Sequence, residues 1–280
     1  MNYRHSFHAG NFADILKHVV LMRILAHLAQ KETPFRVIDT HAGAGLYDLG
    51  GTEAARTGEW VDGVGRLDII AFSARARQII APFSEALAAL SQGGRLYPGS
   101  PALIRHALRQ QDRAAFNELH PEEFGLLRRL VGRDERVALT HLDGYTVWKA
   151  QIPPPEKRGL VLVDPPFEKE DEFGRLAEGF ELMARKWSNG LAMIWYPIKN
   201  RRAVAGFETR CRESGFGKVL VLELHVGEIT ADGPLAATGL MLANPPWTLA
   251  DEMTALLPEL SACLARGGTA RWRADWLSGP

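Results

Sequence analysis

Apolar residues recur at three- and four-residue intervals through NFADILKHVVLMRILAHLAQK, residues 11–31, the spacing that lines a buried helix face, and Asn11 stands where such a helix is capped. Short apolar runs then alternate with further stretches of helical spacing. FRVID (35–39), RAAFNELHP (113–121), RVALTHLDG (136–144), LVLVDPPF (160–167) and GLAMIWYPI (190–198) predict strands. EEFGLLRRLV, EFGRLAEGFELMARKW and RAVAGFETRCRESG predict helices between them. KVLVLELHV (218–226) and TGLMLAN (238–244) follow one another with no helical pattern between, which predicts antiparallel neighbours, and the tail beyond them is less regular. Strands alternating with helices specify an α/β fold with a mainly parallel sheet covered on both faces.

Residues 50–97 break this rhythm. IIAFSARARQIIAPFSEALAALSQ within them is helical in spacing and is stopped by Gly93 and Gly94. The expected organisation is one domain built from residues 1–49 and 98–280, with 1–31 as an N-terminal arm and helix, and 50–97 as a helical insertion subdomain.

Composition narrows the partners only slightly. In 280 residues, 46% are hydrophobic, enough for a large core, and 33 basic residues balance 33 acidic ones. No global field attracts nucleic acid, so any such contact has to be local. Cys211 and Cys263 match no metal or redox spacing. The N-terminus is polar, and no apolar run is long enough to span a bilayer. A cytoplasmic protein, without membrane contact, is expected.

Chemistry gathers where strands end, the edge at which open α/β sheets bind ligands. VIDTHAGAG places Gly43 and Gly45 directly after the first strand, where glycine lets the backbone bend toward a ligand. Glu118 follows the second strand, where a carboxylate suits ribose hydroxyls. Asp143 follows the third, placed for an adenine amino group, with Gly144 leaving room for the ring. Together these suggest an adenosine-containing cofactor. The fourth strand runs into Asp164-Pro165-Pro166-Phe167. Prolines stiffen the turn and remove amide donors, so the Asp164 carboxylate and the Pro165 carbonyl can accept both protons of an exocyclic amine. That directs the nitrogen lone pair toward a methyl donor, while Phe167 stacks on the planar substrate. Asn244-Pro245-Pro246-Trp247 nearly repeats the motif. It ends a strand expected to run the other way, so Asn244 reads as a structural turn with Trp247 packed beneath the sheet.

With YRHSFHAGNFADILKH, DTHAGAG, YPGSP, ELHP, LDGY and DPPFE, the chain resembles the RlmJ family over nearly its whole length. The resemblance implies a Rossmann-like class I methyltransferase sheet of seven strands, the last antiparallel, with a helical insertion after the first strand. It implies transfer of a methyl group from S-adenosyl-L-methionine to adenine N6 in 23S ribosomal RNA. By motif, Asp164 is then catalytic; Lys17, His18, His41, Ser100, Glu118, Asp143 and Gly144 line the cofactor site; Tyr3 reaches the RNA. Phe167 stands where many relatives carry tyrosine, which keeps stacking and removes a hydroxyl.

The residues alone leave rivals open: a DNA adenine-N6 or protein glutamine methyltransferase, or a non-catalytic RNA-binding protein on this fold. Lys199, Arg201 and Arg202, with Arg4, Lys17 and Arg23, are candidate RNA contacts. His5, His8 and His18 match no zinc spacing, so no metal is expected. A monomer is expected.

Overall fold

In the computed structural model, which describes residues 4–230, 233–267 and 270–279, the first helix is nearly surrounded. It is α1 (Phe12–Ala29), and fourteen of its eighteen residues are buried. The Asn11 side chain accepts from the amides of Ala13 and Asp14, satisfying two of the donors that a helix start leaves open.

The chain continues through β1 (Arg36–Asp39), β2 (Leu46–Asp48), α2 (Thr52–Thr57), α3 (Ala74–Leu90), β3 (Leu96–Pro98) and α4 (Ser100–Ala107). Then come β4 (Arg113–Asn117), α5 (Pro121–Val131), β5 (Val137–Thr140), α6 (Gly144–Gln151), β6 (Gly159–Val163) and α7 (Glu172–Lys186). The last third holds β7 (Leu191–Pro197), α8 (Arg201–Arg212), β8 (Val219–His225), β9 (Ala237–Ala243), α9 (Leu249–Leu264) and β10 (Arg271–Ser278).

Eight strands form the main sheet in the order β10-β8-β9-β7-β6-β1-β4-β5. The run from β7 to β5 is parallel, and β9 lies antiparallel between β7 and β8. The count is one above the seven expected. The tail that lacked a clear pattern contributes α9 and then β10, an antiparallel edge strand on β8. Its alternation is weak because no residue of β10 is fully buried, so its sequence carries little apolar contrast.

β6 sits mid-sheet with all five residues buried, the composition of a strand covered on both faces. One apolar cluster packs α1, α3, α4 and α9 on one face, and a second packs α6, α7 and α8 on the other. In residues 50–97 the helices α2 and α3 lie between the paired strands β2 and β3, and α3 packs on α1 and α9, contributing Ile80 and Phe83 to the first cluster. Parallel register sets Asp39 beside Phe116 and Leu162, and Val163 beside Ile194, so the strand ends bearing the polar motifs share one edge.

Candidate active site

Helical spacing puts Asp14, Lys17 and His18 on one side of α1, facing that edge. Burying a charge is costly unless it is paired, and these groups are paired closely. Lys17 Nζ lies 2.8 Å from Asp14 Oδ1 and 2.5 Å from Asp164 Oδ2. Burial alone would lower its pKa, but the two carboxylates outweigh that and hold it above the ordinary lysine range. Asp14 also meets His5 Nε2 at 2.9 Å and accepts from the Gly10 amide. The N-terminal arm, α1 and the end of β6 are thereby joined through one carboxylate and one ammonium.

The loop after β1 turns through Gly43 and Gly45 at φ +64° and +84°, a region that disfavours side chains. A Cβ at Gly43 would stand 2.2 Å from the Tyr47 hydroxyl, so the position is closed to other residues on two counts. The Gly43 amide donates to Glu118 Oε2 at 2.8 Å, and the His120 amide to Oε1 at 2.7 Å. Both oxygens of Glu118 are thus oriented by backbone. Asp39, wholly buried, accepts from Ser100 Oγ at 2.7 Å, and burial pushes its carboxyl up to about 7.

Asp143 caps α6 with Oδ1 through the Thr146 amide, while its Oδ2 pairs with Arg175 at 3.0 Å. Burial raises its pKa less than these contacts lower it, so it stays ionised. Gly144 has no room for a Cβ, which would meet His41 Nε2 at 2.5 Å. Burial holds His41 down at about 4 and His18 at about 3, so both rings are neutral, and His18 Nδ1 meets the Tyr97 hydroxyl at 2.7 Å.

These elements enclose a cavity of about 300 Å³ lined by Lys17, His18, His41, Gly43, Ser100, Glu118, Asp143, Gly144 and Asp164. Nine residues singled out from the sequence therefore meet in one place. Pro165 and Phe167 do not line it. Pro165 is buried, and Phe167, at φ +51°, is held edge-on by Phe173 and Trp195 at 5.1 and 5.8 Å between centroids. Tyr3 lies outside the described residues.

Several lining residues went unnoticed in the sequence. Asp14, which does not itself line the cavity but pairs with Lys17 three residues on, carried a helical-spacing signal. Tyr47, Glu123, Tyr145 and Arg175 carried none, and His5 was weighed only as a metal ligand. Arg175 reaches the cavity from α7, with its guanidinium 3.8 Å over the Tyr145 ring.

The second proline motif ends β9 at the opposite edge of the sheet. Asn244, at φ +49°, donates through Nδ2 to the carbonyls of Ser188 and Gly190, each at 2.9 Å. Trp247 is not packed beneath the sheet; it is 78% exposed, because the turn projects past the last strand residue. The basic clusters are also largely committed. Arg201 grips buried Glu223 at 2.7 and 2.5 Å, Arg23 pairs with Glu252, and Arg4 lies 3.1 Å from Glu53.

Among the described residues, no group of acids, histidines or cysteines is placed to hold a metal ion, and no helix is long and apolar enough to cross a membrane.

A mainly parallel sheet with a glycine loop, two oriented acids and an Asp-Pro-Pro-Phe turn at one edge defines a class I methyltransferase. The family described as "Ribosomal RNA large subunit methyltransferase D, RlmJ" matches residues 32–278, and the chain belongs to it. It is 38% identical to the ribosomal RNA large subunit methyltransferase J of Haemophilus influenzae and 36% identical to that of Escherichia coli, over 99% of each chain. A crystal structure of a Legionella pneumophila protein superposes with a TM-score of 0.84 at 33% identity, covering 96% of this chain and 98% of that one. The protein is accordingly a methyltransferase, of a family that methylates adenine N6 in 23S ribosomal RNA.

Proposed function

We propose that this chain moves a methyl group from S-adenosyl-L-methionine to N6 of an adenine in 23S ribosomal RNA, with Asp164 as the acceptor for the reacting amine. The observation that carries the assignment is Asp164, held by Lys17, lining the same cavity as the oriented acids Glu118 and Asp143.

The residues present fit the cofactor. Both Glu118 oxygens are already aligned by amides and suit two ribose hydroxyls, Asp143 suits the adenine amine, and buried His18 Nε2 has no hydrogen-bond partner among the described residues. When bound, S-adenosyl-L-methionine supplies an electrophilic methyl group. Lys17 occupies Asp164 Oδ2, which leaves Oδ1 for one N–H of the target amine, with the Pro165 carbonyl suited to the other. Accepting both protons turns the nitrogen lone pair out of the ring plane. Phe167, fixed by its aromatic neighbours, offers a face for the base. An adenine within a duplex has to leave its stack to reach Asp164, which favours loops and locally opened helices.

In this reading residues 50–97 form an insertion in the methyltransferase domain, and the protein works in the cytoplasm as a monomer without a metal. Incubation with methyl-labelled cofactor and unmodified 23S RNA tests it, with duplex DNA, a glutamine peptide and Asp164→Ala as controls. N6-methyladenine in RNA alone, lost in the variant, is the expected result. Label in DNA or peptide would overturn the substrate, and wild-type turnover by Asp164→Ala would overturn the site.

A further inference from the structure

None of the described residues from 50 to 97 lines the cavity, yet this stretch grips the arm that does, through His5. Glu59 reaches the arm with both oxygens. Oε1 lies 2.8 Å from His8 Nδ1, and Oε2 accepts from Asn11 Nδ2 at 2.9 Å. The second bond fixes the Asn11 amide: its nitrogen faces Glu59, so its oxygen faces the start of α1 and accepts from Ala13 and Asp14. Asp14 in turn binds His5 and Lys17, and Lys17 binds Asp164. A carboxylate remote from the cavity therefore heads an unbroken series of polar contacts that ends at the reacting site.

The backbone repeats the grip. The Val64 amide donates to Gly10 O at 2.8 Å, and Gly63 approaches so closely that a Cβ there would stand 2.0 Å from the same oxygen. Residues 59–64 thus contact His8, Gly10 and Asn11, which makes this short stretch a seat for the arm.

We infer that Glu59 is a positioning residue for methyl transfer, through which the 50–97 segment seats the N-terminal arm beside the Lys17–Asp164 pair. This rests on reading the cavity as the methyl-transfer site. Glu59 itself meets no reacting atom, so its loss should cost turnover and leave cofactor affinity in place. The two bonds need a pair of polar atoms and no net charge. In Glu59→Gln the carbonyl can accept from Asn11 and the amide can donate to His8 Nδ1 in its Nε2–H form, whereas Glu59→Ala loses both.

The test compares the two variants with the wild type in three measurements: amide hydrogen exchange over residues 4–11, kcat and KM for 23S RNA, and S-adenosylhomocysteine binding by calorimetry. In Glu59→Ala, exchange across the arm should accelerate and kcat fall about 10- to 100-fold, the scale of misplacing reacting groups by an ångström. S-adenosylhomocysteine affinity should stay within about threefold, and Glu59→Gln should recover most of kcat and of the protection. Wild-type kcat and protection in Glu59→Ala would overturn the proposal. So would a loss that Glu59→Gln does not repair, or one that removes S-adenosylhomocysteine binding as well, since either marks a general structural defect. If the wild type methylates no RNA, the functional reading fails by itself, and unchanged arm exchange in Glu59→Ala would then independently refute the seat.

Discussion

Asp164-Pro-Pro-Phe and Asn244-Pro-Pro-Trp are nearly the same word, and the fold uses them for opposite purposes. Each follows a wholly buried strand, and each contains a residue with positive φ, Phe167 in one and Asn244 in the other. The strained residue differs, and so does what the polar side chain meets. Asp164 faces a cavity and an ammonium; Asn244 spends its amide on two main-chain carbonyls of the turn between α7 and β7. Strand direction separates them. β6 is parallel to β1 and ends among the loops that line the cavity, while β9 is antiparallel to β7 and ends at the far edge. A short motif acquires chemistry from the groups its strand delivers it to.

The sharpest way to break the comparison is to truncate each polar residue. Asp164→Ala should reduce methyl transfer by about 10²- to 10⁴-fold, the usual worth of a positioned proton acceptor, while S-adenosylhomocysteine still binds in calorimetry. Asn244→Ala should leave kcat/KM for RNA near wild type and cost stability instead. Two carbonyl bonds and an alanine forced to positive φ amount to about 2–3 kcal/mol, read from urea unfolding midpoints. An inactive but stable Asn244→Ala protein would erase the distinction.

The next effect is confined to the cavity side. Burial holds His18 at about 3, against 6.5 for an ordinary histidine. Below pH 6.5 the unfolded chain takes up a proton that the folded chain refuses, so this contribution to stability is intact above that pH and falls as pH falls toward 3. Between pH 7 and 5 the wild type should lose about 2 kcal/mol more than His18→Gln, measured by urea titration at each pH. Equal losses would show that His18 titrates normally. The smallest effect belongs to Trp247. Since most of its surface is exposed, Trp247→Ala should shift stability by no more than about 0.5 kcal/mol. A larger loss would show that the second turn is packed after all.

Much of the site was legible because its residues sit at strand ends. Gly43, Glu118, Asp143 and Asp164 each follow an apolar run, and parallel strands in register bring such positions to one edge. Trp247 was misjudged because local spelling does not say where a turn projects. Lys199, Arg201 and Arg202 looked alike as charges, yet Arg201 is bound to a buried glutamate from β8. β10 was missed because an edge strand with half-wet faces shows little alternation.

The sequence by itself determined the alternating strands and helices, the capped first helix, the antiparallel turn-back at β9 and the amino-acid chemistry of the strand-end motifs. All of these follow from local periodicity, backbone restriction and residue type. Tertiary structure alone decided that Lys17 bridges Asp14 and Asp164, that Arg175 lies on Tyr145 against Asp143, and that Glu59 holds His8 and Asn11 across 51 and 48 residues of chain. Partner choice among buried charges depends on which groups packing brings within hydrogen-bonding distance, and no local pattern of residues encodes that.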